Sequence, residues 1–293
     1  MKLVTYRPKT ASSGSSIGVL DGDDVVPLAH DPELPTAMVE FVALGDEGLA
    51  RARAVMASGP RLPLGFVRLL APIRPRNNVM CVGKNYYDHA KEFADSGFDA
   101  SAKQVVPDEP VIFTKALSSL ADPGDAVRVT DDPTNTSDYE GELGVVIGPG
   151  GHQLSEPEAF DHVYGYLIVN DLTIRDLQKR HVQFFIGKSA ATYCPMGPML
   201  VTADEIADVG ALRLQTRVNG ELRQDTTVKE LIFDIPRLIA AISAAVRLEP
   251  GDMIATGTPV GVGLGFTPPR FLVPGDVVEV TIDGLGTLVN HAV

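Results

Sequence analysis

The sequence predicts a β-rich α+β fold, with a small leading α+β domain over residues 1–74 and a larger mixed β domain over 75–293. Three observations carry this. Beyond residue 75, short apolar runs bounded by Gly and Pro recur as strands do, while long helical patterns are few. The segment Pro72-Ile73-Arg74-Pro75-Arg76-Asn77 is dense in chain breakers and marks the boundary. No unit repeats at a fixed period, which argues for one β-rich body with helices added at its edges.

Along the leading domain, short strand patterns at Leu3 to Tyr6, Ile17 to Leu20 and Val25 to Leu28 precede helical patterns at Thr36 to Leu44 and Gly48 to Ala57. The strand-like Val79-Met80-Cys81-Val82 then leads into Gly83-Lys84-Asn85-Tyr86-Tyr87-Asp88-His89-Ala90-Lys91-Glu92. A helix from about Tyr86 puts His89 and Glu92, three apart, on one face within hydrogen-bond reach. An imidazole titrating near neutrality, with its tautomer fixed by a carboxylate, is a workable base. The same spacing also describes a plain surface pair. The long polar stretch from Asp95 to Pro110 that follows has the length of a lid.

Asp138-Tyr139-Glu140-Gly141-Glu142 precedes the apolar run Leu143 to Ile147, which reads as a buried strand. A strand beginning near Tyr139 aims Glu140 and Glu142 the same way, so the two carboxylates need a cation or a shared proton. Asp171 ends another strand-like run, Val163 to Asn170. Three acidic oxygen ligands with no His or Cys beside them suit a hard cation such as Mg²⁺. Taken alone, Glu-x-Glu equally describes a solvated strand edge. The polar residues crowded into Asn170 to Gln178, where a strand gives way to a helix, favour a site.

Further along, Phe185-Ile186-Gly187-Lys188-Ser189 sets a lysine between apolar residues, able to neutralise a substrate carboxylate or an enolate. Surface placement of Lys188 remains an equal reading. The helical pattern Phe233 to Val246, interrupted early by Pro236, is core. The run Ala255 to Gly265 is rich in glycine, but Pro259 interrupts it and no βαβ unit surrounds it, so it is no dinucleotide fingerprint. It reads as a tight loop whose amides and Thr258 hydroxyl cradle a carboxylate. The end of the chain reads as two strands about an Asp283-Gly284 turn.

Composition narrows the partners. The chain has 293 residues, 44% of them apolar, and 25 Lys plus Arg against 38 Asp plus Glu give a net charge of −13. That balance argues against nucleic acid or an anionic membrane as partner. The N-terminus lacks an apolar signal region and no segment approaches the roughly 18 apolar residues of a spanning helix, so a cytoplasmic location is expected. Cys81 and Cys194 have neither metal-ligand nor disulfide spacing and are expected to be buried thiols.

Together, Gly83-x-Asn85-Tyr86-x-x-His89-x-x-Glu92, Asp138-Tyr139-Glu140-x-Glu142, Asn170-Asp171-x-x-x-Arg175-Asp176-x-Gln178, Gly187-Lys188-Ser189, Pro195-x-Gly197-Pro198 and Gly257-Thr258-Pro259-x-Gly261-Val262-Gly263 resemble the fumarylacetoacetate hydrolase family in order over residues 77–293. The resemblance implies a β-sandwich roll, a homodimer, and Mg²⁺ or Mn²⁺ held by Glu140, Glu142 and Asp171. It implies His89 and Glu92 as a dyad on a mobile lid helix, Lys188 as the active-site lysine, and Tyr86, Arg175, Gln178 and Thr258 as substrate-binding groups. Val82, Gly83 and Lys84 stand where some members carry a further metal carboxylate, and Ala190 and Ala191 where many carry an acid. The chain is thus similar to the three-carboxylate branch acting on acylpyruvates and related 2-oxo acids. The expected activity is Mg²⁺-dependent hydrolysis of the C–C bond of 3-acylpyruvates to pyruvate and a carboxylic acid. Oxaloacetate-type decarboxylation and 2-hydroxy-dienoate isomerisation or hydration use the same enolate and stand as alternatives, with a non-catalytic 2-oxo acid binder less favoured. The distal part of the substrate is expected to meet the segment between Phe93 and Val106, with Phe184 or Tyr193.

Overall fold

The computed structural model describes residues 1–99 and 104–293. Residues 100–103, within the expected lid segment, lie outside the described residues. Among the described residues, a twelve-stranded sheet forms the spine. From one end it runs Leu62–Pro63, Asp24–Pro27, Ser16–Asp21, Lys2–Pro8, Cys194–Thr202, Val163–Asn170, Gly141–Ile147, Met253–Ala255, Val79–Gly83 and Val111–Lys115. Val67–Leu70 joins it on Lys2–Pro8, and Leu120–Ala121 on Cys194–Thr202. A second sheet orders Glu221–Thr227, Arg213–Val218, Val277–Ile282, Gly286–Ala292 and Ala126–Val127.

The two sheets form a sandwich because the central strands are apolar on both faces. Leu143, Val145 and Ile147 pack with Leu214, Val278, Val280 and Leu288 of the second sheet. On the opposite face, Val146, Leu167 and Val169 share a core with Met38, Phe41, Ala52 and Val55, from the helices Met38–Ala43 and Gly45–Ser58. Strand Lys2–Pro8 pairs antiparallel with Cys194–Thr202, so the sheet continues across the expected boundary near residue 74. No described helix is long and apolar enough to cross a membrane.

Two expectations from local patterns are corrected by the backbone. Pro236 does not interrupt its helix. It stands in the first turn of Ile235–Ser243, where its missing N–H costs nothing, and the Asp234 side chain caps that turn by accepting from Arg237 N. Strand Gly141–Ile147 begins after Glu140 rather than at Tyr139, and it is interior, paired on both sides, so the solvated-edge reading of Glu-x-Glu falls. Gly141 is required there: a Cβ would collide with Thr216 and Val280 of the second sheet.

Candidate active site and metal centre

Antiparallel pairing assembles the acidic cluster. Gly141 faces Asn170 and Glu142 faces Val169, which sets Glu140 and Asp171 side by side just beyond the paired strands. Asp171 N donates to Glu140 O at 2.8 Å, and the Asn170 side chain accepts from Glu140 N at 3.0 Å. Carboxylate oxygens of Glu140, Glu142 and Asp171 lie within 4.8 Å of one another, all three residues being buried.

Cations surround them. Lys188 Nζ lies 2.6 Å from Glu140 Oε2 and 2.8 Å from Asp171 Oδ2. Lys115 Nζ, fully buried, takes Asp171 Oδ1 at 2.7 Å and the Leu172 carbonyl at 2.9 Å. Arg175 clamps Asp138 Oδ2 at 2.9 Å and Glu140 Oε1 at 2.6 Å, while its Nη2 is buried without a partner among the described residues. Four carboxyl groups, Asp138, Glu140, Glu142 and Asp171, thus face three cations, Lys115, Lys188 and Arg175. Burial works to raise Glu140, but Lys188 and then Arg175 outweigh it and hold the carboxyl at about 2. Burial, then Asp171 and Glu140, push Glu142 well above the carboxylate range. Burial opposes the Lys188 charge, yet Asp171 and Glu140 keep that ammonium above its ordinary value. The donor set fits a hard divalent cation: all oxygen, converging, and with Glu142 repelled by its two neighbours.

The His89–Glu92 contact arises as its spacing predicts. In the helix Tyr87–Asp95, His89 Nδ1 lies 3.0 Å from Glu92 Oε2, and Glu92 Oε1 accepts the Gly261 amide at 3.0 Å. Both side chains are nearly buried, which removes the surface-pair reading. With Nδ1 committed, Nε2 is the nitrogen free to work. His89, Glu140, Arg175, Gln178, Lys188 and Thr258 line one cavity of about 20 Å³, room for about one water, with Lys84 and the apolar Phe93, Phe113 and Phe184. A larger cleft of about 530 Å³, between Val111–Thr114 and Val182–Phe185, has no titratable lining.

Several expected residues sit differently from their assigned places. Tyr86 is buried with an unpartnered hydroxyl and is not on the cavity wall. Tyr193 bonds to Ser137 and is likewise off the wall, whereas Phe184 is on it. The glycine-rich loop does cradle carboxylates, but they are the protein's own. Gly257 N holds Glu142 at 2.9 Å, and Gly263 N and Leu264 N hold Asp138 at 2.6 and 3.0 Å. Gly257 sits at φ +108, a conformation glycine adopts readily. The Thr258 hydroxyl donates to Gly141 O and accepts from Gln224, so its bonding is largely spent inside the protein. Lys188 is 2% exposed, which excludes surface placement. Lys115 was not singled out from the sequence, and Lys84 was noted only for standing where some family members carry a carboxylate. A charged residue closing the apolar-patterned Val111-Ile112-Phe113-Thr114 was the only available signal for Lys115.

Residues 78–293 match the family model described as fumarylacetoacetate (FAA) hydrolase C-terminal. The chain is 49% identical over 268 residues to oxaloacetate tautomerase YisK of Bacillus subtilis (strain 168), covering 88% of this chain and 87% of that protein. Among solved structures it is similar to a fumarylacetoacetate hydrolase from Exiguobacterium antarcticum, with a TM-score of 0.85, 41% identity, and coverage of 100% and 99% of the two chains. A maleylpyruvate hydrolase from Sphingobium sp. SYK-6, solved with manganese(II) and pyruvate, superposes with a TM-score of 0.81 at 28% identity, covering 100% and 99%.

Proposed function

The chain belongs to the fumarylacetoacetate hydrolase family, and on that footing we propose that it is a divalent-metal-dependent enzyme that interconverts the enol and keto forms of an oxaloacetate-type 2-oxo acid. The observation that carries this reading is that His89, paired with Glu92, lines one cavity with Lys188 and Glu140, and that Glu140 converges with the Glu142 and Asp171 carboxylates. The 49% identity to an oxaloacetate tautomerase supports the choice of reaction.

Enol–keto conversion needs a group that moves a proton at the carbon beside the keto group, and positive charge at the oxygen. His89 Nε2 would carry the proton to or from that carbon, with Glu92 fixing the tautomer through Nδ1. The Lys188 ammonium would face the enolate oxygen. The Nη2–H of Arg175, unpartnered among the described residues, and the Gln178 amide beside it offer donors to the substrate carboxylate. Glu140, Glu142 and Asp171 would hold Mg²⁺ or Mn²⁺, which when bound polarises the keto oxygen as a Lewis acid.

Hydrolysis of a 3-acylpyruvate is the second reading. It is favoured by the likeness to a maleylpyruvate hydrolase and by cavity space for one water beside His89, which the same base could activate.

The test follows enol-oxaloacetate decay by ultraviolet absorbance and 3-acylpyruvate cleavage by NMR, with Mg²⁺ or Mn²⁺ and with chelator. The expected result is metal-dependent acceleration of enol decay that falls roughly a hundredfold or more in His89→Ala. Pyruvate release from acylpyruvates without tautomerisation would install the second reading. Inactivity on both would overturn each.

A further inference from the structure

Strand Val79–Gly83 ends at the cavity, and the next residue, Lys84, stands at φ +55. A non-glycine residue adopts this left-handed conformation infrequently. The Lys84 side chain is 2% exposed and lines the cavity with His89, Arg175 and Lys188, yet the proton chemistry leaves it unused. Its ammonium pairs with Asp99, four residues beyond the helix Tyr87–Asp95 that carries the base.

Three phenyl rings connect Lys84 to the acidic cluster. Lys84 Nζ is 5.5 Å from the Phe93 ring, Phe93 is 6.4 Å from Phe184, Phe184 is 5.5 Å from Phe113, and Phe113 is 5.0 Å from Lys188 Nζ. An ammonium therefore sits against the first and the last ring of this chain of contacts. At one end Lys188 pairs with Glu140 and Asp171, and at the other, among the described residues, Lys84 pairs with Asp99.

We propose that Lys84 determines specificity by binding the far carboxylate of a 2-oxo dicarboxylate, and that Asp99 is an internal stand-in which this carboxylate displaces. The proposal rests on the functional reading above, which supplies the 2-oxo acid end of the ligand. A buried ammonium must keep an anionic partner. Exchanging Asp99 for a ligand carboxylate keeps an anion against the ammonium, so a dicarboxylate enters without stranding Lys84. A ligand whose neutral distal group displaces Asp99 strands the ammonium, and one that leaves Asp99 in place gains nothing from Lys84.

The test is calorimetric titration of the Mg²⁺-loaded protein with oxalate, which has no distal group, and with malate, which carries a carboxylate at each end of a four-carbon chain. In Lys84→Met, malate is expected to weaken at least tenfold and oxalate less than twofold. In Asp99→Asn, malate is expected to tighten at least threefold with oxalate unchanged. Equal effects on both anions, or no effect on malate, would overturn the inference. Should Lys84→Met fail to fold, the Asp99→Asn arm decides alone. Wild-type protein that binds oxalate but gives these variants no malate-specific change overturns the inference and leaves the functional reading standing. Wild-type protein that binds neither anion with Mg²⁺ overturns both.

Discussion

Lys115 Nζ sits 2.7 Å from Asp171 Oδ1, and neither side chain is exposed at all. The other oxygen of that carboxylate is taken by Lys188, so each oxygen of Asp171 has its own lysine. Lys115 also donates to the Leu172 carbonyl and to that of Lys188, which pins the Asp171 backbone turn to the helix bearing Lys188. Removing it leaves a buried carboxylate with one fewer counter-charge and two carbonyls without a donor. Lys115→Met is expected to destabilise the metal-free protein by about 3 kcal/mol, the lower end for a broken buried pair because Lys188 remains. Denaturant titration with and without Mg²⁺ checks this; an unchanged midpoint in the metal-free protein would refute it.

Glu142 gives a pH dependence whose sign can be worked out. Its carboxyl is raised in the folded state, first by burial and then by Asp171 and Glu140. The folded metal-free protein therefore holds a proton that the unfolded chain has released, and its stability falls as pH rises from the ordinary glutamate range toward the raised value. A divalent cation displaces that proton, so metal affinity is expected to climb with pH over the same interval. Thermal melts across pH, with and without Mn²⁺, should diverge as pH rises. Parallel curves would remove Glu142 from the metal site.

In the proposed mechanism Glu92 acts through His89. Glu92→Gln keeps an acceptor for the Gly261 amide but loses the charge on Nδ1. The expected outcome is a kcat lowered roughly tenfold to a hundredfold, with KM little changed. A defect confined to KM would instead mean that Glu92 only shapes the cavity.

The two thiols should be silent in the native protein. Cys81 and Cys194 are buried and free, and burial pushes Cys194 up to about 12 and Cys81 well above its usual value. No reaction with a thiol reagent is expected at neutral pH until the chain unfolds, when both should react. Rapid labelling of native protein would contradict the packing of Val79–Gly83 and Cys194–Thr202.

Much of the site was legible in the sequence because its chemistry is local in register. The separation of His89 from Glu92 is a helical one, and the apolar runs Leu143 to Ile147 and Val163 to Asn170 announce strands that end in acids. Lys115 was not singled out, and Lys84 was noted only for standing where some family members carry a carboxylate, because a lysine beside an apolar run looks like an ordinary strand end until the fold brings a carboxylate against it. The loop from Gly257 to Leu264 was read as a carboxylate cradle without its occupants, since Glu142 and Asp138 reach it only across more than a hundred residues of chain.

By itself the sequence determined where the strands that border the site lie, that acids stand at their ends, and that His89 and Glu92 are at helical spacing, while its net charge of −13 argues against nucleic acid as a partner. Those properties follow from side-chain period and composition, which act over a few residues. Only the tertiary structure decided that the N-terminal strand completes the central sheet, that Arg175 and Thr258 bond chiefly within the protein, and that two further lysines border the cavity and the acid cluster. Those outcomes depend on pairing across the whole chain. Buried charges must find partners wherever the fold brings them, and no local pattern names the partner in advance.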